Sequence, residues 1–136
     1  DYMRTLADRL RFARITCGDF ERVLGPTVTH RHGVTAVFLD PPYSADRKGG
    51  LYAQDSTVVA HRAREWCMQN GDNPKLRIAL CGYEGEHDEL EGLGWVKVAW
   101  KANGGFGNQG EGRGRGNARL ERVWFSPHCA NTLWGD

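Results

Sequence analysis

The feature that most restricts the fold is a short apolar segment that stops at two consecutive prolines. Residues 34–39 read VTAVFL and are followed by Asp40, Pro41, Pro42 and Tyr43. An unbroken run of apolar, β-branched residues is typical of a central strand that is covered on both faces. Proline lacks the amide hydrogen that a sheet needs, so the strand must end at Asp40. We therefore expect a buried strand whose carboxyl end carries an aspartate.

Periodic patterns elsewhere predict that helices and strands alternate along the chain. Apolar residues three and four positions apart indicate helices, whereas alternating or continuous apolar runs indicate strands. The predicted helices cover residues 2–12, 20–24, 55–69 and 84–93, and the predicted strands cover residues 13–17, 34–39, 76–81, 95–100 and 120–125. The glycine-rich residues 101–119 are predicted to be a loop, so the last two strands pair as an antiparallel hairpin. We expect one α/β domain over residues 1–136 whose parallel part ends in this hairpin.

Composition and charge exclude several broad classes of protein. The net charge of +1 argues against a nucleic-acid binder that is basic throughout, but it allows a local basic patch. The apolar runs are far shorter than the roughly 20 residues needed to cross a bilayer. The four cysteines lack the paired spacing of a disulfide scaffold or a zinc ribbon. We expect a cytoplasmic protein without a membrane segment. The chain starts at Asp1 and lacks an initiator methionine, which suggests a fragment or a processed protein.

The DPPY tetrapeptide, residues 40–43, has the chemistry to bind an aromatic amine. Open α/β sheets place their ligands at the carboxyl ends of their strands, where Asp40 is expected. The Asp40 carboxylate and the Pro41 carbonyl are acceptors beside a backbone that lacks two amide donors. Acceptors aimed at the N–H bonds of an aromatic amine favour attack by its nitrogen, and Tyr43 offers a flat face for stacking. The simpler alternative is that the prolines only end the strand and that Asp40 caps the next segment.

The segment VFLDPPYS, residues 37–44, resembles the catalytic motif of amino-group methyltransferases, specifically the DNA adenine N6-methyltransferases of bacteria and phages. The resemblance implies a Rossmann-like, mostly parallel sheet and S-adenosylmethionine as cofactor. It implies that Asp40 and the Pro41 carbonyl accept hydrogen bonds from the adenine amine, that Pro42 shapes the turn and that Tyr43 stacks on the base. Extrusion of the base from the duplex is how such enzymes reach its atoms.

The resemblance extends over residues 14–128, and it implies contacts to the cofactor upstream of the motif. Asp19 and Phe20 lie where the family places an acidic residue near the adenosine of the cofactor. The alternative for this pair is a helix cap followed by a core aromatic residue. The glycine-containing cofactor loop of the family has no match before Asp40. The chain therefore resembles the carboxyl-terminal, catalytic portion of such an enzyme, and we expect either a missing amino-terminal portion or self-association.

Basic residues on two predicted loops are candidate contacts to DNA phosphates. A flexible loop with spaced cations can follow a phosphate backbone. The predicted contacts are Lys48, Arg113, Arg115 and Arg119, with Arg47 and Lys101 close by in sequence and with Asn103 and Phe106 as weaker candidates for the flipped base. The alternative is a solvated hairpin loop, since Glu111 dilutes the charge.

Metal binding is not expected. His30 and His32 are one residue apart, and His61 or His87 is conceivable as a further ligand. A loop pair of histidines without a clearly spaced third ligand is usually a surface feature.

The most specific function that the sequence predicts is methyl transfer from S-adenosylmethionine to the exocyclic amine of adenine in DNA. Correct positioning is most of the catalysis in such a transfer, because the positive charge of the sulfonium already makes the departing thioether a good leaving group. A guanine-N2 methyltransferase acting on RNA is the nearest alternative, since such enzymes carry the same tetrapeptide or close variants. A non-catalytic binding or assembly module derived from a methyltransferase is the alternative from a different class.

Overall fold

The computed structural model describes residues 1–42, 53–99 and 120–129. The chain divides into two compact units, Asp1–His32 and Gly33–Asp136. The expectation of a single domain stays a prediction.

The first unit contains short helices. Helix α1 spans Tyr2–Leu10, helix α2 spans Phe20–Val23, and a 3₁₀ helix spans His30–His32. The helices predicted at 2–12 and 20–24 are therefore confirmed, with small differences at their ends. The strand predicted at residues 13–17 is wrong, because none of the described strands pairs with this segment and Ile15 is 96% exposed.

The second unit contains the sheet and its longest helix. Strand β1 spans Thr35–Leu39, helix α3 spans Ala53–Asn70, strand β2 spans Leu76–Tyr83, strand β3 spans Val96–Ala99 and strand β4 spans Glu121–Phe125. A 3₁₀ helix at Asp88–Leu93 replaces most of the acidic helix predicted at 84–93. Its end at Gly94, where φ is 82°, requires the left-handed backbone that glycine adopts at low cost.

The four strands form a mixed α/β sheet with the order β1-β2-β4-β3. Strands β1 and β2 are parallel, with Val37 opposite Ile78. Strand β4 runs antiparallel to both β2 and β3, with Leu80 opposite Trp124. The antiparallel hairpin of the last two strands is confirmed. A mostly parallel sheet is wrong for the described strands, because β4 inserts in the reverse direction between β2 and β3.

The core lies between α3 and one face of the sheet. Side chains alternate between the faces of a strand, so Val37, Ile78, Leu80 and Trp124 share a face, and all four are buried. The helix contributes buried small residues to the same core, namely Ala60, Ala63 and Cys67.

Among the described residues, β1 is neither central in the sheet nor covered on both faces, which differs from our expectation. Phe38, whose side chain points away from Val37, is 68% exposed. Strand β1 lies at the edge of the described sheet, where β2 is its neighbour. The apolar run at residues 34–39 therefore gives β1 one buried face and one exposed apolar face.

Candidate functional site

The candidate site begins where β1 ends. Asp40 directly follows the last strand residue, Leu39, so it lies at the carboxyl edge of the parallel pair as predicted. Asp40 is exposed, Pro41 is buried and Pro42 is exposed. Within the described ranges, the Asp40 carboxylate makes neither a hydrogen bond nor an ion pair. The carboxylate is therefore available to a ligand and does not cap a described segment.

A cavity of about 390 Å³ adjoins Asp40. This volume falls within the range of roughly 300–1,000 Å³ that is usual for small-molecule sites. Alternation along the strands puts most of the lining on the open face of the sheet. The lining residues are Phe38, Asp40, Cys81, Glu121, Arg122, Val123 and Phe125. The cavity has an apolar floor with charged groups at the carboxyl edge of the sheet.

Cys81 belongs to the floor of this cavity, a position that we did not predict. It is 7% exposed, and the thiol has no hydrogen-bond partner among the described residues. Burial, together with the smaller effects of the negative charges of Asp40 and Glu121, raises the pKa of Cys81 to about 11. The thiol is therefore protonated at neutral pH, and both carboxylates lie close enough to affect it.

Glu121 and Arg122 are the first two residues of β4, and they contribute the other charged groups of the cavity lining. The Glu121 side chain is half-buried and shares the face of Val123 and Phe125. Nη1 of Arg122 donates to the backbone carbonyl of Glu121 at 2.7 Å, and Nε of Arg122 donates to the Glu84 carboxylate. The charge of Arg122 is thus offset by an acid outside the lining. Glu121 was detectable only from the register of β4, which places it on the same face as Asp40.

Several predicted site residues lie outside the described residues. These are Tyr43, Arg47, Lys48, Lys101, Asn103, Phe106, Arg113, Arg115 and Arg119. Their assigned roles in base stacking and DNA binding stay predictions.

Asp19 and Phe20 belong to the first unit, where they start a helix. Oδ1 of Asp19 accepts the amide hydrogen of Glu21 at 3.0 Å, so Asp19 is the N-cap of α2. Phe20 is the first helical residue and is half-buried. These contacts are those of a helix start, and none of them indicates a nucleotide. The pair does not by itself fit S-adenosylmethionine, and its role in cofactor binding stays a prediction.

A smaller cavity of about 90 Å³ lies between α3 and the turn that follows β2. Arg64 crosses it, donating from Nη1 to the carbonyl of Glu86 at 3.1 Å and contacting Nδ1 of His61 through Nη2 at 2.7 Å. Nε of Arg64 also lies 3.4 Å from a carboxylate oxygen of Glu89. The Arg64 guanidinium therefore links α3 to the segment that follows β2.

The histidines that we considered as metal ligands lie in both units. In the first, Nε2 of His32 is 2.7 Å from the carbonyl of Thr27, and Nδ1 of His30 is 3.4 Å from Oγ1 of Thr29. Across residues 1–42, 53–99 and 120–129, no three His, Cys, Asp or Glu side chains come together as a metal centre would need.

None of the described helices has the length and apolar character required to span a membrane. Comparisons with models of protein families, with curated protein sequences and with solved structures find no match to this chain.

Proposed function

We propose that this chain binds an adenine extruded from DNA and presents its exocyclic amine for methylation by S-adenosylmethionine. The observation that carries this proposal is the Asp40 carboxylate, which pairs with none of the described residues and lies beside a cavity of about 390 Å³ with an apolar floor. A flat heteroaromatic ring with an amine at one end needs both an apolar surface and an acceptor. This cavity offers the two together.

Asp40 holds the amine in this proposal. A carboxylate accepts hydrogen bonds only, so it favours the amine of adenine over the carbonyl that hypoxanthine has at the same position. The two prolines restrict the backbone that carries the carboxylate, because each ring fixes its φ angle. An acceptor that is already oriented loses little freedom when the base enters. The Pro41 carbonyl is the second acceptor, and Tyr43 is the stacking residue.

The arrangement of the strands supports the same family. A parallel pair, followed in sequence by an antiparallel hairpin, agrees with the carboxyl-terminal portion of the Rossmann-like sheet that the resemblance implies. Asp40 lies at the edge of the sheet where such folds place their ligands. Basic loop residues, Lys48, Arg113, Arg115 and Arg119, would contact the phosphates that flank the extruded base.

A base-binding module without activity of its own is the second candidate. The contacts of Asp19 favour it, because that carboxylate caps α2. In such a module the Asp40 cavity would bind the base, while another chain would hold the methyl donor. The two candidates differ in whether this chain binds S-adenosylmethionine.

The decisive experiment measures transfer of a labelled methyl group to duplex DNA. We expect label on adenine N6, and we expect Asp40→Asn to lower the rate by about 100-fold, a usual effect of removing one polar group that contacts the reacting centre. Asp72→Asn is the matched control, since Asp72 is an exposed aspartate in the turn that follows α3. Equal rates for Asp40→Asn and the wild type would remove Asp40 from the mechanism.

Three other outcomes point to different functions. Label on a guanine of ribosomal RNA would favour the RNA alternative. Absence of both transfer and calorimetric binding at millimolar S-adenosylmethionine, with adenine nucleosides still bound, would favour the module. Absence of both binding events would overturn the proposal.

A further inference from the structure

The Asp40 cavity contains a second carboxylate that binding of an amine does not require. We propose that Glu121 is a specificity-determining residue that keeps phosphate groups out of this cavity, so that the site recognises a base whose phosphates remain outside. This inference rests on the proposed function, because it assumes that Asp40 binds the amine.

The two carboxylates lie on strands that are not neighbours. Strands β1 and β4 flank β2, so the strands that carry Asp40 and Glu121 are about 10 Å apart, at roughly 4.8 Å for each pairing. Register adds to this separation, because Cys81 pairs with Val123 and Glu121 lies two residues farther along β4. This backbone separation places the two carboxylates at different ends of the cavity. If Asp40 holds the amine, Glu121 faces the other end of the ring.

The opposite end of adenine from its amine is the nitrogen that carries the sugar. Glu121 consequently meets the part of the ligand from which the phosphates extend. Like charges at short range repel, and the effect is stronger where an apolar wall excludes water. Cys81, Val123, Phe38 and Phe125 provide that wall.

Neither carboxylate is neutralised by a described residue. The Glu121 side chain, like that of Asp40, makes no hydrogen bond or ion pair within residues 1–42, 53–99 and 120–129. Arg122 also lines the cavity, but its Nε is engaged by Glu84 and its Nη1 by a backbone carbonyl. The buried thiol of Cys81 lies between the two acids without a hydrogen-bond partner among the described residues, which leaves a polar atom at the floor for a ligand to contact.

Binding of two ligands that differ by a phosphate tests this inference. Deoxyadenosine and its 5′-monophosphate are titrated into the wild-type chain by calorimetry. We expect deoxyadenosine to bind at least about fivefold more tightly at low salt, because the phosphate is repelled. Glu121→Gln should bring the two affinities to within about twofold of each other, whereas Asp40→Asn should weaken both ligands. Glu65→Gln, at an exposed position on α3, is the control and should change neither affinity.

A second measurement uses only the wild type, so it tests the inference even if Glu121→Gln does not fold. Raising sodium chloride from about 20 mM to about 500 mM should reduce the difference between the affinities of the wild type for the two ligands, because salt screens the repulsion between Glu121 and the phosphate. Equal affinities for the two ligands in the wild type at low salt would overturn the inference about Glu121, as would a difference that neither salt nor Glu121→Gln alters. If Asp40→Asn leaves deoxyadenosine binding unchanged, the proposed function fails instead. No binding of deoxyadenosine at millimolar concentration would overturn both.

Discussion

A β-carbon on Gly82 would lie 2.7 Å from both Cδ2 and Nε2 of the His87 ring. The ring is 1% exposed, and its edge contacts Trp124 at a centroid distance of 5.1 Å and an interplanar angle of 75°. His87 is therefore wedged between the backbone of β2 and the core.

Gly82→Ala should destabilise the second unit, because the added methyl group has no room beside the His87 ring. Overpacking of this kind typically costs about 1–3 kcal/mol. Urea denaturation measures the loss. Gly92→Ala is the control, since a β-carbon at Gly92 meets no heavy atom within 4 Å. Equal stability of the two variants would show that the ring moves aside without cost.

The stability of the second unit should fall as the pH drops below about 6.5. Burial lowers the pKa of His87 from its usual 6.5, Glu86 opposes this effect, and Arg64 and His61 add to it. Below this pH the unfolded chain binds a proton that the folded chain excludes. The contribution of neutral His87 to the free energy of unfolding is therefore fully present above pH 6.5, and it is lost as the pH falls towards the lower pKa of the folded state.

His87→Gln should flatten this dependence between pH 7 and pH 5, where one such group changes stability by at most about 1.4 kcal/mol per pH unit. The free energy of unfolding at several pH values measures the effect. His32→Gln, at an exposed histidine, should leave the slope unchanged. An unaltered slope in His87→Gln would exclude His87 as its source.

Lys97 should control the titration of the acids around it. Its Nζ lies 2.8 Å from Glu84, 2.9 Å from Asp88 and 2.9 Å from Glu91. Hydrogen bonds from Lys97 are the main reason that the pKa values of Glu84 and Asp88 are lowered. Such acids stabilise the fold above their unfolded pKa values, and the contribution is lost as the pH falls through the lower folded values.

Lys97→Met should raise the pKa of both acids towards their usual values of 4.5 and 3.8. Carboxyl chemical shifts followed by NMR during an acid titration measure this directly. Lys75→Met changes an exposed lysine outside the cluster and should leave both titrations as they are. Unchanged pKa values in Lys97→Met would mean that solvent screens the ion pairs.

Ser126 should be worth more to stability than its size suggests. Oγ of Ser126 accepts the amide hydrogen of Ile78 at 3.1 Å, and the amide of Ser126 donates to the carbonyl of Ile78 at 2.9 Å. Ser126→Ala leaves the buried Ile78 amide without an acceptor, which costs about 1–3 kcal/mol. Chemical denaturation tests this, with Thr27→Ala at an exposed position as the control. A loss below about 0.5 kcal/mol would indicate that another group replaces the hydroxyl.

Local patterns predicted most elements of the second unit but not their arrangement. The apolar runs at 76–81 and 120–125 are strands within two residues of the predicted ends, because continuous or alternating apolar residues reflect burial directly. A strand that is buried on one face can have the same apolar run, residues 34–39, as a strand that is buried on both faces. The position of β1 at the edge of the described sheet could therefore not be predicted from this run. Residues 13–17 have the composition of a strand, but strand formation also requires a neighbour.

The sequence allowed us to predict one of the two carboxylates of the candidate site, Asp40, but not the other, Glu121. Asp40 was visible because the prolines mark where β1 stops. Glu121 and Cys81 were not, since they reach the cavity only through the pairing of β4 with β2, and a register between strands 40 residues apart leaves no local trace.

The position of β4 has a consequence for how the sheet is completed during synthesis. Strand β4 is made last of the four, yet it lies inside the sheet and is the strand to which β3 is paired. A nascent chain that has emerged only as far as β3 therefore leaves one edge of β2 uncovered and β3 without its hydrogen-bonding neighbour. Most of this unit therefore emerges from the ribosome before its sheet can close, and during that interval the uncovered edge of β2 is open to non-native strand pairing.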